Sequence, residues 1–171
     1  MQTPPLHERL VFETSRGQVM DGDRRYVLMR ADVLMGVFGL LPDPLRSQAL
    51  ASLTASVFKY GSASVRAYAD PTDPDSSKLF AAVATGASSL GWGVWEFSIH
   101  ERSWELTVLN SPFAAASDMR RPACAAIVGM LRAVCEHAWQ AACIAEEVDC
   151  CAVASSNDGQ GQTCRFRAVA L

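Results

Sequence analysis

Two runs in the middle of the chain, GWGVWEFSIH at 91–100 and SWELTVLN at 103–110, alternate apolar and polar residues with a period of two. A helix would scatter such a pattern around its surface. A half-buried strand uses it directly, because successive side chains point to opposite faces. Trp95, Phe97 and Ile99 fall on one face, with Val94, Glu96 and Ser98 on the other. Trp104, Leu106 and Val108 likewise oppose Glu105 and Thr107. The intervening HERS, residues 100–103, has the length of a hairpin turn, so the two apolar faces pair into one aromatic surface. The rest of the chain must cover that surface.

Helical patterns flank the hairpin. In LPDPLRSQALASLTASVFKYG, Pro44 suits a first turn and Leu45, Ala49, Leu53 and Val57 recur on one face, with a stop expected at Gly61. Before it, Asp21-Gly22 signals a turn, a short strand runs through Tyr26 and Leu28, and a short helix starts at about Asp32. ADPTDPDSS, residues 69–77, reads as an exposed loop ahead of a helix, SKLFAAVATGASSLG, that ends near Gly91. A longer helix is expected from Pro122 to Ala142, with Ile127, Met130, Leu131, Val134 and Ala138 at helical spacing. The strand-like runs EEVDCCAVA and TCRFRAVAL close the chain, joined by the polar loop SSNDGQGQ. Helices, hairpin, helix, hairpin is an α+β order: an antiparallel sheet packed with helices in a single domain. Residues 1–19 read as an N-terminal extension and 20–171 as the domain, long enough to bury a core unaided.

Composition narrows the partners. The net charge is −3 and there is no Lys/Arg stripe, which argues against nucleic acid and anionic membrane. The polar, proline-bearing start MQTPPLHERL does not read as a secretory signal, and no apolar stretch runs unbroken for about 18 residues. A cytoplasmic protein is expected, where six cysteines are thiols or metal ligands before they are disulfides.

Some of those cysteines can converge. Cys124 opens the long helix, Cys150 and Cys151 lie on the penultimate strand, and Cys164 begins the last. If the two strands pair as a hairpin, Cys164 comes within metal-coordinating reach of Cys150 or Cys151, and Glu147 can add a carboxylate oxygen. Three thiolates and a carboxylate suit tetrahedral zinc with no open position, hence a structural site. The competing reading is that these are small buried hydrophobes, the usual fate of free cysteine, and no C-x-x-C pair argues otherwise. Strand geometry adds a condition: Glu147 and Cys151 share a face in a regular strand, so a site using Glu147 with Cys150 needs a bend or bulge. Cys135 and Cys143 read as packing.

Other chemistry is sparse. His7, His100 and His137 share no motif, and a nucleophile triad could be assembled only by free choice. GASSLGWG lacks the strand-to-helix context of a phosphate loop and reads as a helix stop. Trp95, Phe97 and Trp104 on one hairpin face are either core or the wall of an apolar pocket beneath alanine-rich helices.

The ordered set GWGVWEFSIHERSWELTVLNSPFA, CAAIVGMLRAVC, EEVDC and CRF resembles the 4-vinyl reductase domain family over roughly residues 20–171, with FKYGSASVRAYAD matching an earlier helix end. The resemblance implies a fold similar to the ligand-binding modules of nitric-oxide-signalling and Golgi-transport proteins, often dimeric. Its members include sensor domains of phenol- and xylene-responsive activators, hydrocarbon-binding proteins and a bacteriochlorophyll-biosynthesis protein. In the aromatic sensors a structural zinc lies beside an enclosed apolar pocket, and by motif its ligands fall here on Cys124, Glu147, Cys150 and Cys164. Two departures stand out: CAVASSNDGQGQT between the last two cysteines is longer than the family's short turn, and Cys151 follows Cys150 directly. Where those sensors place a histidine to meet a phenolic hydroxyl, YGSASVRAYAD offers Arg66 and Tyr68, so a phenol-type ligand is not expected.

These readings lead to a stand-alone small-molecule-binding domain that encloses an apolar or aromatic ligand between helices and sheet, forms a homodimer and signals through a partner protein. Its expected lining is Phe58, Tyr60, Phe80, Trp95, Phe97, Trp104 and Phe113. The 171 residues leave no room for the ATPase and DNA-binding regions of the activators. The alternatives are an enzyme or accessory factor in tetrapyrrole vinyl-group reduction, for which no cofactor motif is visible, and an assembly scaffold without ligand.

Overall fold

The computed structural model describes residues 4–69, 76–100, 103–117, 121–153 and 162–171. The expected hairpin pairs as the alternation requires. Strands β4 (Val94–Ile99) and β5 (Ser103–Leu109) are antiparallel, with Trp95 opposite Val108 and Phe97 opposite Leu106. His100 N–H closes the turn on Ser103 C=O at 3.0 Å; residues 101 and 102 of that turn lie outside the described residues. The last two strands, β6 (Cys143–Asp149) and β7 (Thr163–Ala170), join the same sheet in the order β4-β5-β7-β6, every pair antiparallel. The sheet is therefore continuous across the two hairpins, with Val108, Leu106 and Trp104 facing Cys164, Phe166 and Ala168 across the central pair. All six are buried, and they form the floor of the core.

Three helices roof that floor. Helix α6 (Ala125–Trp139) lies on β6 and β7 through Ile127, Leu131, Val134 and Cys135, all fully buried. Helix α4 (Ser76–Ser89) covers β4 with Leu79, Phe80, Val83 and Ala87, a single stripe at helical spacing. Helix α3 (Asp43–Tyr68) lies over α6. The expected stop at Gly61 does not occur, and the helix runs on to Tyr68. The glycine serves the crossing instead: a Cβ at Gly61 would sit 2.9 Å from Met130 Cε, and one at Gly129 only 2.4 Å from the Thr54 carbonyl oxygen. Gly129 lets the helix backbones approach where a side chain would hold them apart, and Gly61 leaves room for the Met130 side chain. Thr54 Oγ1 donates to the Ala125 carbonyl at 3.0 Å across the same seam. The short helix α5 (Pro112–Ala115) links β5 to α6, capped by Ser111.

The N-terminal part is more ordered than an extension. Helix α1 (Leu6–Arg9), strands β1 (Val11–Glu13), β2 (Gln18–Asp21) and β3 (Arg24–Tyr26) and helix α2 (Ala31–Gly39) precede α3. The three strands form their own antiparallel meander, and the expected boundary at residue 20 falls inside β2. Leu6 is buried, and Arg9 grips Asp21 through two hydrogen bonds of 3.1 and 2.8 Å. The long loops expected at 69–77 and 155–162 lie largely outside the described residues. The architecture is α+β, with helices on one face of the main antiparallel sheet.

Candidate metal centre and apolar cavity

The condition set by strand geometry is met at Val148. Glu147 pairs with Phe166 and Asp149 with Arg165, so two residues of β6 oppose one step of β7. That bulge shifts the alternation by one. Before it Cys143, Ala145 and Glu147 turn inward; after it the inward residue is Cys150, which is buried, while Cys151 is half-buried. Cys150 then enters a turn, Val153 N–H bonding its carbonyl at 2.9 Å. Cys164 stands opposite Val108 inside the sheet, and Cys124 is the residue at the head of α6.

Ligand atoms of Cys124, Glu147, Cys150 and Cys164 consequently lie within 4.8 Å of one another, and these four can hold a metal ion. The Sγ atoms of Cys124 and Cys164 are 3.8 Å apart. A tetrahedron with metal–sulfur bonds of about 2.3 Å has edges of about 3.8 Å. Glu147 Oε2 accepts the Cys124 backbone N–H at 3.0 Å, which orients the carboxylate. Its other oxygen, Oε1, is buried and has no hydrogen-bond partner. A buried orphan acceptor is costly, and a cation removes that cost. Ser111 Oγ, fully buried, lies 3.2 Å from Cys124 Sγ and supports it from behind.

The electrostatics of the cluster agree with a cation. Hydrogen bonds from Cys124, then Cys164, hold the Cys150 thiol down to about 2, so it is the thiolate of the group. The bond to Cys150 pushes Cys124 well up, and burial adds to it. At Cys164 the Cys124 bond pulls downward, but the bond to Cys150 and burial outweigh it and the shift is upward. Burial, then the Cys150 bond and charge, push Glu147 up to about 8, against the Cys124 interactions that favour its ionised form. Left alone, the four donors share protons and concentrate charge on one sulfur; a divalent cation would draw the remaining protons off.

A second feature lies between the helices and β4. A cavity of about 60 Å3 is lined by Leu6 and Tyr26 from the N-terminal part, Ser64 and Val65 of α3, Val83, Gly86 and Ala87 of α4, Leu90, Trp92, Trp95 and Met130. Its wall is almost wholly apolar, with Ser64 and Tyr26 carrying the side-chain hydroxyls. Trp95 donates its indole N–H to the Trp92 backbone carbonyl at 3.1 Å, which orients the Trp95 ring. An apolar cavity of about 150 Å3 holds benzene. A guest of that size therefore needs side chains to move, and Met130 is the most adaptable of the lining.

Of the seven residues expected to line a pocket, Trp95 does. Phe80, Phe97 and Trp104 pack on one another instead, with ring centroids 4.7 and 4.8 Å from Phe80, and Trp104 stacks at 4.1 Å on Trp139. Phe113 is buried edge-on to Trp92 at 5.2 Å, one ring behind the cavity. Phe58 is half-buried under the Arg132 guanidinium, 4.2 Å away. Tyr60 is 67% exposed, because it lies off the Val57, Gly61, Val65 face by which α3 packs. Trp92, Met130 and Val65 line the cavity without a distinguishing signal in the sequence. Val65 was hidden by reading Gly61 as a stop: two turns beyond Val57, it continues the buried stripe. Arg66 is exposed, and the side chain of Tyr68 lies outside the described residues. None of the three histidines belongs to the cluster or the cavity.

No family model and no curated protein matches the sequence. Among solved structures, the chain is similar to the phenol-responsive sensory domain of the transcription activator PoxR, solved with phenol. The two superpose with a TM-score of 0.77 at 14% identity, over 96% of this chain and 86% of that one. A vinyl-4-reductase family protein from Methanocaldococcus jannaschii matches with a TM-score of 0.47 at 12% identity, over 82% of this chain and 90% of that one. The chain thus adopts the fold of the PoxR sensory domain, in keeping with the motif order that resembles the 4-vinyl reductase domain.

Proposed function

We propose that this chain is a small-molecule-binding sensory domain that takes an apolar or aromatic ligand into the cavity between α3, α4, α6 and β4. The observation that carries the reading is the cavity itself: an apolar, tryptophan-walled space in a fold shared with a phenol-responsive domain. Affinity would come from removing the ligand's apolar area from water, with Ser64 and Tyr26 setting its orientation. The 60 Å3 volume favours a small ring over a tetrapyrrole, and its presence argues against a ligand-free scaffold.

Cys124, Glu147, Cys150 and Cys164 would hold zinc as a structural ion. Four protein ligands leave no open position, so the ion supplies cross-linking rather than Lewis-acid chemistry. It would tie the head of α6 to the β6 and β7 ends, and its binding energy becomes folding energy. Support for a homodimer comes from the N-terminal surface, where Phe12, Val27, Val33, Val37 and Leu40 are all exposed, Leu40 to 89%. Exposed apolar side chains gathered in one part of the chain suit a partner surface. Among the described residues no helix is long and apolar enough to cross a membrane. A cytoplasmic location and output through a separate protein complete the reading.

The test is tryptophan fluorescence of reduced, freshly purified chain titrated with toluene and with phenol, alongside native mass spectrometry and elemental analysis. A saturable change is expected with toluene, and its loss in Ala87→Phe, which fills the cavity while leaving zinc content intact. No saturable change with either probe, together with no bound organic mass, refutes the reading.

A further inference from the structure

The metal reading leaves unused a sulfur that touches the cluster. Cys151 is not among the four converging donors, yet its Sγ lies 3.5 Å from Cys164 Sγ and its backbone N–H points at the same sulfur, also at 3.5 Å. It differs from the four in access as well. Cys124, Cys150 and Cys164 are exposed by 3% or less, whereas Cys151 is half-buried at the start of the turn that follows β6. An oxidant arriving from solvent therefore meets Cys151 first, and the nearest sulfur behind it is a metal ligand.

From this geometry we propose that Cys151 is a redox modification site, the outer half of a Cys151–Cys164 disulfide through which a peroxide empties the metal centre. The inference rests on the metal reading above. In the first step the Cys151 sulfur attacks hydrogen peroxide, the O–O bond breaks, and Cys151 becomes a sulfenic acid with release of water. In the second, the Cys164 thiolate attacks the sulfenic sulfur, the S–S bond forms, and hydroxide leaves and takes up a proton as water. Two electrons pass from the two sulfurs to the two peroxide oxygens. Closing 3.5 Å to a disulfide bond of about 2.05 Å needs a movement of about 1.5 Å, within reach of a turn residue's side chain. With Cys164 consumed, Cys124, Cys150 and Glu147 remain, which no longer close a tetrahedron. In a reducing compartment such a bridge is transient and is reversed by cellular thiols, which makes it a sensor rather than a staple.

The experiment exposes the reduced 171-residue chain, its zinc content first measured, to hydrogen peroxide. Zinc release is followed with a chromogenic chelator, and the cysteines are mapped by non-reducing peptide mass spectrometry with fragments that separate Cys150 from Cys151. The expected result is a Cys151–Cys164 linkage formed in step with zinc loss, both reversed by dithiothreitol when zinc is resupplied. Cys151→Ser should load zinc normally and lose the peroxide-driven release. Release from Cys151→Ser at the wild-type rate, a linkage joining another pair, or an unmodified Cys151 overturns the proposal. A reduced chain without zinc defeats the metal reading instead, and the presence or absence of the Cys151–Cys164 linkage still decides the bridge.

Discussion

The crossing of α3 over α6 predicts opposite outcomes for two substitutions that look alike in sequence. Gly61→Ala and Gly129→Ala each add one methyl group inside a helix, where alanine is favoured over glycine by about 1 kcal/mol. At Gly129 the new Cβ would lie 2.4 Å from the Thr54 carbonyl oxygen, 3.1 Å from the Phe58 nitrogen and 3.1 Å from Val57 Cβ. Two of those atoms are α3 backbone, so relief requires the helices to separate along a seam where Gly61 is buried and Val57 half-buried. Overpacking of that kind costs about 3 kcal/mol, at the upper end of its usual range because backbone cannot turn aside. The net loss is about 2 kcal/mol, or about 4–8 °C in Tm for a domain of this size. At Gly61 the obstacle is Met130 Cε at 2.9 Å, the free end of a flexible side chain. Met130 can rotate away, so Gly61→Ala should be neutral or stabilising by up to about 1 kcal/mol. It should also disturb ligand binding, because Met130 lines the cavity. Urea denaturation of the reduced, metal-replete proteins at one protein concentration measures both. Equal losses for the two variants, or a Gly129→Ala protein as stable as the wild type, would show that the seam is not close-packed and refute the reasoning.

Two further outcomes follow from the site and the surface. At pH 7 zinc should displace protons from Cys124, Cys164 and Glu147, Cys150 being already a thiolate, so calorimetry in buffers of different ionisation enthalpy should report about three protons released. Because Glu147 is held up at about 8, well above its ordinary 4.5, it still carries its proton at pH 7 and has lost it at pH 9. Release should therefore fall by one between those pH values in the wild type and be one lower at pH 7 in Glu147→Gln; identical counts for the two proteins at pH 7 would mean the carboxylate is ionised beforehand. On the surface, Leu40→Glu places a charge at the most exposed point of the N-terminal apolar patch and should shift the chain from dimer to monomer in light scattering, with its tryptophan response to toluene retained.

What was legible in the sequence was what depends on local periodicity. The β4/β5 hairpin pairs in the register its alternation requires, α4 forms where a helix is expected, and α6 buries Ile127, Leu131 and Val134 of the stripe its spacing marks. What was not legible depends on contacts between segments far apart in the chain. Gly61 reads as a stop because glycine is a poor helix former; that it lies against Met130, 69 positions later, appears only when the two helices cross. The aromatic residues misled in the same way. Phe80, Phe97 and Trp104 lie on the expected apolar faces, and their contacts with one another depend on how α4 settles on the hairpin. The cavity opens one layer over, where Leu6 and Tyr26 arrive from a part of the chain with no strong pattern of its own.

The candidate site shows how a single local irregularity decides between chemistries. In a regular strand Glu147 would share its face with Cys151, leaving Cys150 outside. The bulge at Val148 exchanges the two: Cys150 goes into the cluster with Glu147, and Cys151 is left at its edge beside Cys164. The long segment CAVASSNDGQGQT does not undo this, because pairing resumes at Thr163 opposite Leu109 and puts Cys164 opposite Val108 whatever the length between. Cys164 is positioned by β5, its neighbour in the sheet, and not by the loop that delivers it. The same displacement that completes a four-donor site also parks a fourth sulfur, that of Cys151, against one of its three thiols. The proposed metal binding and its proposed oxidative release would thus both follow from one extra residue in β6.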